Sequence, residues 1–220
     1  MTDRPILFSG PMVRAVLEGK KTQTRRVIKN MPHAPSIAPG LMARHKYPYF
    51  DAYFSEKRTP ENPRGMSENW CWWTIDNRCG EQINIGYKPG DRLWVRETWA
   101  HIRDFLGQDP GVQALCDGGF YRADENTLDD EIRRWTPSIH MPRVASRITL
   151  IVTGARVQRL QDITETEAQA EGFKSAGAFA DYWNSLTKIH QWHENPWVSV
   201  IEFTPIFENI DKIETTRGAG

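Results

Sequence analysis

The chain has 220 residues, 39% hydrophobic and 25% charged, with Lys+Arg and Asp+Glu balanced at 28 each. That size suits one sizeable core, or one core carrying a long insertion, and the charge balance excludes a protein held to nucleic acid by net charge, so any basic patch must be local. Three cysteines, no signal-like N-terminal stretch and no apolar run long enough to span a bilayer predict a cytoplasmic protein in a reduced compartment, without disulfides and without membrane contact.

In chain order, Ser9 can cap a short helix with Pro11 in its first turn, and Val13, Val16 and Leu17 fall at helical spacing before Gly19 supplies a left-handed stop. Lys20, Lys21, Thr22, Gln23, Thr24, Arg25 and Arg26 then open an extended segment. Strand alternation puts Thr22, Thr24 and Arg26 on one face and Lys21, Gln23 and Arg25 on the other, so a meeting of Lys21 with Thr24 requires a bend at the glycine turn.

Residues 28–87 break the periodic pattern with Pro32, Pro35, Pro39, Pro48, Pro60 and Pro63 among polar and aromatic residues, and read as an insertion or lid. Within it, Trp70 to Thr74 and Gln82 to Ile85 can pair as two strands around a turn at Asp76-Asn77. Cys71, Cys79, Cys116, His33 and His45 lack the close ligand pairs of a structural zinc site, so neither a metal nor another cofactor is expected.

Lys88-Pro89-Gly90-Asp91 is a turn into a strand in which Leu93, Val95 and Glu97 alternate with Trp94, Arg96 and Thr98. A short strand is expected at Phe120 to Ala123. Pro142 interrupts the run from Ser138 to Arg147, which therefore crosses the mouth of the sheet instead of lying within it. Ile148, Leu150 and Val152 mark a strong strand, followed by a bulge or turn at Gly154.

Thr164-Glu165-Thr166-Glu167 is a capping box, Ile163 can staple onto Ala168, and Gly172 stops the helix after two turns. Glu171 thus falls among the unpaired carbonyls of the last turn, one turn beyond Glu167. Both neighbours disfavour a carboxylate there, and this predicts that neutralising Glu171 stabilises the fold. Phe179, Tyr182, Trp183 and Leu186 form an aromatic stripe of a second helix, expected in the core. Val198 to Phe203 make a closing strand, and the polar stretch beyond it reads as frayed.

Gly19-x-Lys21-x-x-Thr24-x-Arg26 resembles the signature of the ASCH domain family, of the PUA-like superfamily, usually written G-x-K-x-x-E-x-R. Threonine replaces the glutamate here, as it does in the bacterial N4-acetylcytidine amidohydrolase branch. Gly90 to Trp99, Ser138 to Arg147 and Asn195-Pro196-Trp197 look like the larger ASCH proteins of phages and prophages. The resemblance covers residues 5–30 and 88–203. It implies an α+β fold, a PUA-like mixed β-barrel with flanking helices and a long insertion. Residues 1–204 would form a single domain with 28–87 as insertion, and 205–220 a flexible tail. The signature strand, 91–99, 147–153 and 197–203 would share the barrel.

The resemblance also implies a catalytic set of Lys21, Thr24 and Glu171, with an N4-acylated cytidine as substrate. A lysine drained of solvation, or crowded by Arg26, can take the Thr24 proton; Thr24 attacks the amide carbonyl, and Glu171 passes a proton to the leaving amine. Without the resemblance, a lysine at a helix end merely satisfies carbonyls. Arg26, Arg96, Glu97, His140, Arg143 and Arg147 are the candidate substrate contacts. For Arg96 and Glu97 a surface salt bridge weighs equally, and Arg147 can equally pair with an acid. The rival reading is an RNA-binding module without catalysis, in which Lys20, Lys21, Arg25, Arg26, Arg143 and Arg147 clamp phosphates of single-stranded RNA and tryptophans stack a base.

Overall fold

The computed structural model describes residues 2–32, 43–54, 58–60, 63–64, 66–76, 78–124, 129–186 and 188–213. His33, Pro35, Pro39, Asn77 and the last seven residues of the expected tail, 214–220, lie outside them. Ten strands are described: β1 (Asp3–Leu7), β2 (Gln23–Val27), β3 (Tyr49–Phe54), β4 (Met66–Trp73), β5 (Cys79–Ile83), β6 (Arg92–Arg96), β7 (Trp99–His101), β8 (Gly119–Tyr121), β9 (Thr149–Arg159) and β10 (Trp197–Ile206). The α-helices are α1 (Gly10–Leu17), α2 (Gly111–Asp117), α3 (Glu165–Ala170) and α4 (Ala176–Leu186). None of the described helices is long and apolar enough to cross a membrane.

The expected β-barrel is not formed. The strands anticipated at the signature, at 91–99, at 147–153 and at 197–203 do share a sheet, but it is open, in the order β1-β6-β9-β10-β2, with β1 and β2 as its edges. The fold is α+β with several open sheets. The longest pairing is the antiparallel β9–β10 ladder, which runs from Trp197 opposite Arg159 to Ile206 opposite Thr149, with a register shift between Glu202 and Phe203. On the other flank β1 runs parallel to β6, from Asp3 opposite Arg92 to Leu7 opposite Arg96.

Directly opposed residues of an antiparallel pair share a face. Thr24 opposes Ile201 and Arg25 opposes Val200, so β2 sends successive side chains to two different cores. Ile201 packs with Ile6, Phe8, Val13, Val16, Leu93 and Leu150 around α1. Val200 packs with Leu160, Ile163, Ala168, Phe179 and Trp183 under α3 and α4. The expected aromatic stripe on α4 holds for Phe179 and Trp183, but Leu186 is 49% exposed and lies outside the core.

The insertion contains an antiparallel sheet of its own, β3-β4-β5, with Trp70 opposite Ile83 and Cys71 opposite Gln82. It is attached to the main sheet by a third cluster, in which Trp72, Ile83 and Ile85 meet Ile28 and Val157. Cys71, fully buried, is disulfide-bonded, which corrects the expectation of free thiols throughout. The stretch expected as a tail, 205–220, is packed as far as it is described: β10 continues to Ile206, Ile210 is completely buried, and Asn209 donates to the carbonyls of Arg143 and Ser146.

Leu150 sits at the centre of the α1-side core and is fully buried. Leu150→Ala is expected to cost about 2–5 kcal/mol in a denaturant titration. Leu186→Ala should stay within about 0.5 kcal/mol of the parent, as an exposed substitution does.

Candidate functional site

The sequence places Lys21 by two helix stops. Gly19 has φ 70° and ends α1, and the Ala15 carbonyl accepts from the backbone N–H groups of Lys20 and Lys21. Ser9 occupies the N-cap of α1 without capping through its side chain, because its hydroxyl is bonded to the Tyr182 hydroxyl at 2.5 Å. At the other stop, Thr164 and Glu167 complete the reciprocal capping box of α3, Glu171 is its C-cap, and Gly172 has φ 91°. A Cβ on Gly172 would stand 2.8 Å from that of Ala15, so the two helix ends meet closely.

Across that contact Lys21 and Glu171 face one another as a bridge between two chain segments. Lys21 Nζ donates to Glu171 Oε2 at 2.7 Å, to the Gln23 carbonyl at 2.7 Å and to the Glu171 carbonyl at 3.1 Å, which accounts for its three N–H bonds. The second carboxylate oxygen of Glu171 accepts from Arg25 at 3.0 Å, and Arg25 also reaches Glu167 at 3.1 Å. Glu167 in turn holds Arg156 and Gln158. Lys21, Thr24, Arg25 and Glu171 are each at most 2% exposed.

Burial pushes the Lys21 ammonium below its ordinary pKa, and the attraction of Glu171 only partly opposes this. Burial also lowers Arg25 against the pull of Glu171 and Glu167. For Glu167, burial raises the carboxyl, but the Thr164 N–H, Arg156, Arg25 and Gln158 together outweigh it and leave its pKa below the ordinary 4.5.

Thr24 is the member that stands apart. Its side chain turns toward the α1-side core, and its hydroxyl is buried without a hydrogen-bond partner among the described residues. Beside it, Gln23 Nε2 and Arg25 Nε are also buried and unpartnered, so three consecutive residues of β2 each carry an unmade hydrogen bond. Arg26 lies on Thr24's face and donates to the Leu7 carbonyl at 2.7 Å. Its Cζ is 5.7 Å from the Phe8 ring centre, while Lys21 Nζ is 5.5 Å from the same ring. Phe8, a member of the core that Thr24 faces, therefore lies near both cations.

The other candidate contacts are engaged elsewhere. Glu97 is buried and held by both sides of the Arg147 guanidinium, at 3.0 and 3.1 Å; Arg147 also binds Asp124 and lies 3.9 Å over the Tyr121 ring. Arg143 bridges Asp3 and Asp211. Arg96 lies over Trp94 and donates to the Ile139 carbonyl, and His140 is exposed on a single 3-10 turn. No hydrogen bond or ion pair joins these residues to Lys21, Thr24 or Glu171 among the described residues.

Sequence reasoning missed Arg25 and Glu167 as members of the cluster. Their signals were present: Arg25 shares Lys21's face of the strand, and Glu167 lies one helical turn before Glu171.

The pairing reverses the expected effect of removing the acid. Glu171→Gln leaves buried Lys21 without its carboxylate and Arg25 with Glu167 alone, and a denaturant titration should show a loss of about 3–5 kcal/mol where repulsion alone predicted a gain. Glu167→Gln keeps the capping box, since glutamine serves at that position. A carboxyl with a lowered folded pKa stabilises above its unfolded pKa and loses that contribution as pH falls through the folded value. The parent should therefore weaken below about pH 4.5, and the variant should show a flatter acid limb in thermal melts against pH.

Comparison with protein-family models, with curated proteins and with solved structures gave no match to this chain.

Proposed function

We propose that the protein is an amidohydrolase that removes an acyl group from a modified nucleoside such as N4-acetylcytidine, with Lys21 as base, Thr24 as nucleophile and Glu171 as proton carrier. The observation that carries this reading is a desolvated lysine paired to a buried carboxylate at 2.7 Å, three residues before a buried hydroxyl that no group among the described residues satisfies. Buried polar groups in native proteins nearly always find partners, and the exceptions concentrate where a ligand completes them. The signature resemblance supplies the substrate class.

The proton arithmetic closes. Transfer along the short contact converts the ion pair to a neutral amine and a carboxylic acid, with Arg25 then balanced by Glu167. Lys21 then takes the Thr24 proton as Oγ1 attacks the acyl carbon, and Glu171 gives its proton to the departing nucleoside amine. An acyl ester on Thr24 and an ion pair remain. In the second half water attacks the ester, its proton goes to Glu171, and Lys21 returns a proton to Thr24 Oγ1; free acid leaves and the neutral pair is restored. Because Lys21 and Thr24 are fully covered, turnover requires displacement of the segments packed over them.

The phosphate-clamp reading is weaker on this geometry. Arg25, Arg143 and Arg147 are committed to carboxylates, and Lys20 is paired with Glu18.

Thr24→Val tests the assignment with nearly constant volume. Removing a buried unpartnered hydroxyl should leave stability unchanged or raise it by about 1 kcal/mol, while acetate release from N4-acetylcytidine falls to background. Undiminished release would eliminate Thr24 as nucleophile.

A further inference from the structure

A cavity of about 520 Å3 lies between the insertion sheet and the segment joining β5 to β6, within the range typical of small-molecule sites. It belongs to a different wall from the buried lysine cluster, and it holds three kinds of group at once. Phe50, 50% exposed, and Trp70 form an aromatic corner, their ring centres 6.1 Å apart and their planes at 50°. Asn84 uses Oδ1 to accept the Gly86 N–H, which leaves its amide N–H bonds without a partner among the described residues. Arg4 and Lys88 bring two cations to the rim. Lys88 is exposed, and no carboxylate pairs with its ammonium among the described residues. Asp91, the one acid among the described residues of the lining, is buried and turned to the backbone, accepting the N–H groups of Thr2 and Lys88.

The chemistry narrows the ligand. An aromatic corner with amides suits a sugar or a heterocyclic base, whereas a cation pair with no opposing free acid among the described residues selects an anion. A nucleotide uses all three: its base stacks on the rings, its edge meets the amide, and its phosphate meets the cations. We propose that this cavity is a nucleotide-binding site, in which Phe50 and Trp70 hold the base, Asn84 hydrogen-bonds its edge, and Arg4 and Lys88 hold the phosphate. The site stands independently of the hydrolase reading. The two are nonetheless neighbours through Tyr87, which lines the cavity and packs against the α1-side core that contains Phe8.

Free mononucleotide and a residue within a single strand offer the same groups, so the test uses both. Calorimetric titration of the whole protein with cytidine 5′-monophosphate, with a cytidine pentanucleotide and with ribose 5-phosphate should show binding of the first two, and the baseless sugar phosphate about tenfold weaker or more. Lys88→Glu should weaken the mononucleotide about tenfold and lower the slope of log K against log salt by roughly one phosphate contact. Phe50→Ala should weaken the mononucleotide and leave ribose 5-phosphate unchanged. Both side chains are at the surface, and unaltered denaturant midpoints confirm that the variants fold. A pentanucleotide that binds more tightly than the monomer identifies a strand as the natural ligand, and equal affinities identify a free nucleotide. Absent binding, equal affinity for ribose 5-phosphate, or affinities indifferent to both substitutions would overturn the proposal. Acetate release from N4-acetylcytidine, measured on the same wild-type preparation, separates the two claims: release without this binding sinks only the cavity, and binding without release sinks only the hydrolase.

Discussion

Everything near the start of β2 depends on one carboxylate. Glu171 is at the end of a two-turn helix, where helix carbonyls disfavour it, and it is nonetheless fixed by Lys21 on one oxygen and Arg25 on the other. A lone buried carboxylate is untenable, as is either buried cation without it. The group therefore persists as a unit, tying the ends of α1 and α3 to an edge strand. The close approach of Ala15 to Gly172 reflects how little space this leaves.

The cluster also sets two chemistries on one strand. Alternation along β2 sends Arg25 toward α3 and α4 and Thr24 toward α1, so the charges and the hydroxyl belong to opposite faces of the sheet. Lys21, standing just before the strand, is the residue able to serve both, since its ammonium binds Glu171 and borders the Phe8 ring. Such an arrangement keeps the hydroxyl dry and without a hydrogen-bond partner among the described residues. The unmade hydrogen bonds of Gln23, Thr24 and Arg25 represent stability withheld from the fold at one place.

Local signals in the sequence were read well because they are complete within a few residues. The capping box of α3, the stops at Gly19 and Gly172, and the Trp70–Ile83 pairing need nothing distant. Glu171 was recognisable as an anomaly, but its sign was misjudged because the cations that hold it arrive from 146 and 150 residues away. The barrel failed for a similar reason. Whether a sheet closes depends on its edges, and the parallel pairing of β1 with β6, which puts Pro5 opposite Trp94, joins segments far apart in the chain. The packed segment after β10 escaped notice because its anchors are single residues, Asn209 and Ile210, without periodicity. The disulfide at Cys71 was not expected because the odd cysteine number, the absence of a signal-like N-terminal stretch and the absence of a spanning apolar run say nothing about which thiols the fold brings together.

An open sheet must deal with its margins, and β1 bears on how this one does. An edge strand with a full row of backbone donors would invite the β1 of another molecule to continue the ladder. Pro5 removes a donor from the middle of that row, and Asp3 and Arg4 place charges beside it, with Asp3 already held by Arg92 and Arg143. The strand that leaves the sheet unclosed is thus the one least suited to recruit a second chain, and at this margin the protein gains resistance to edge-to-edge aggregation without a barrel.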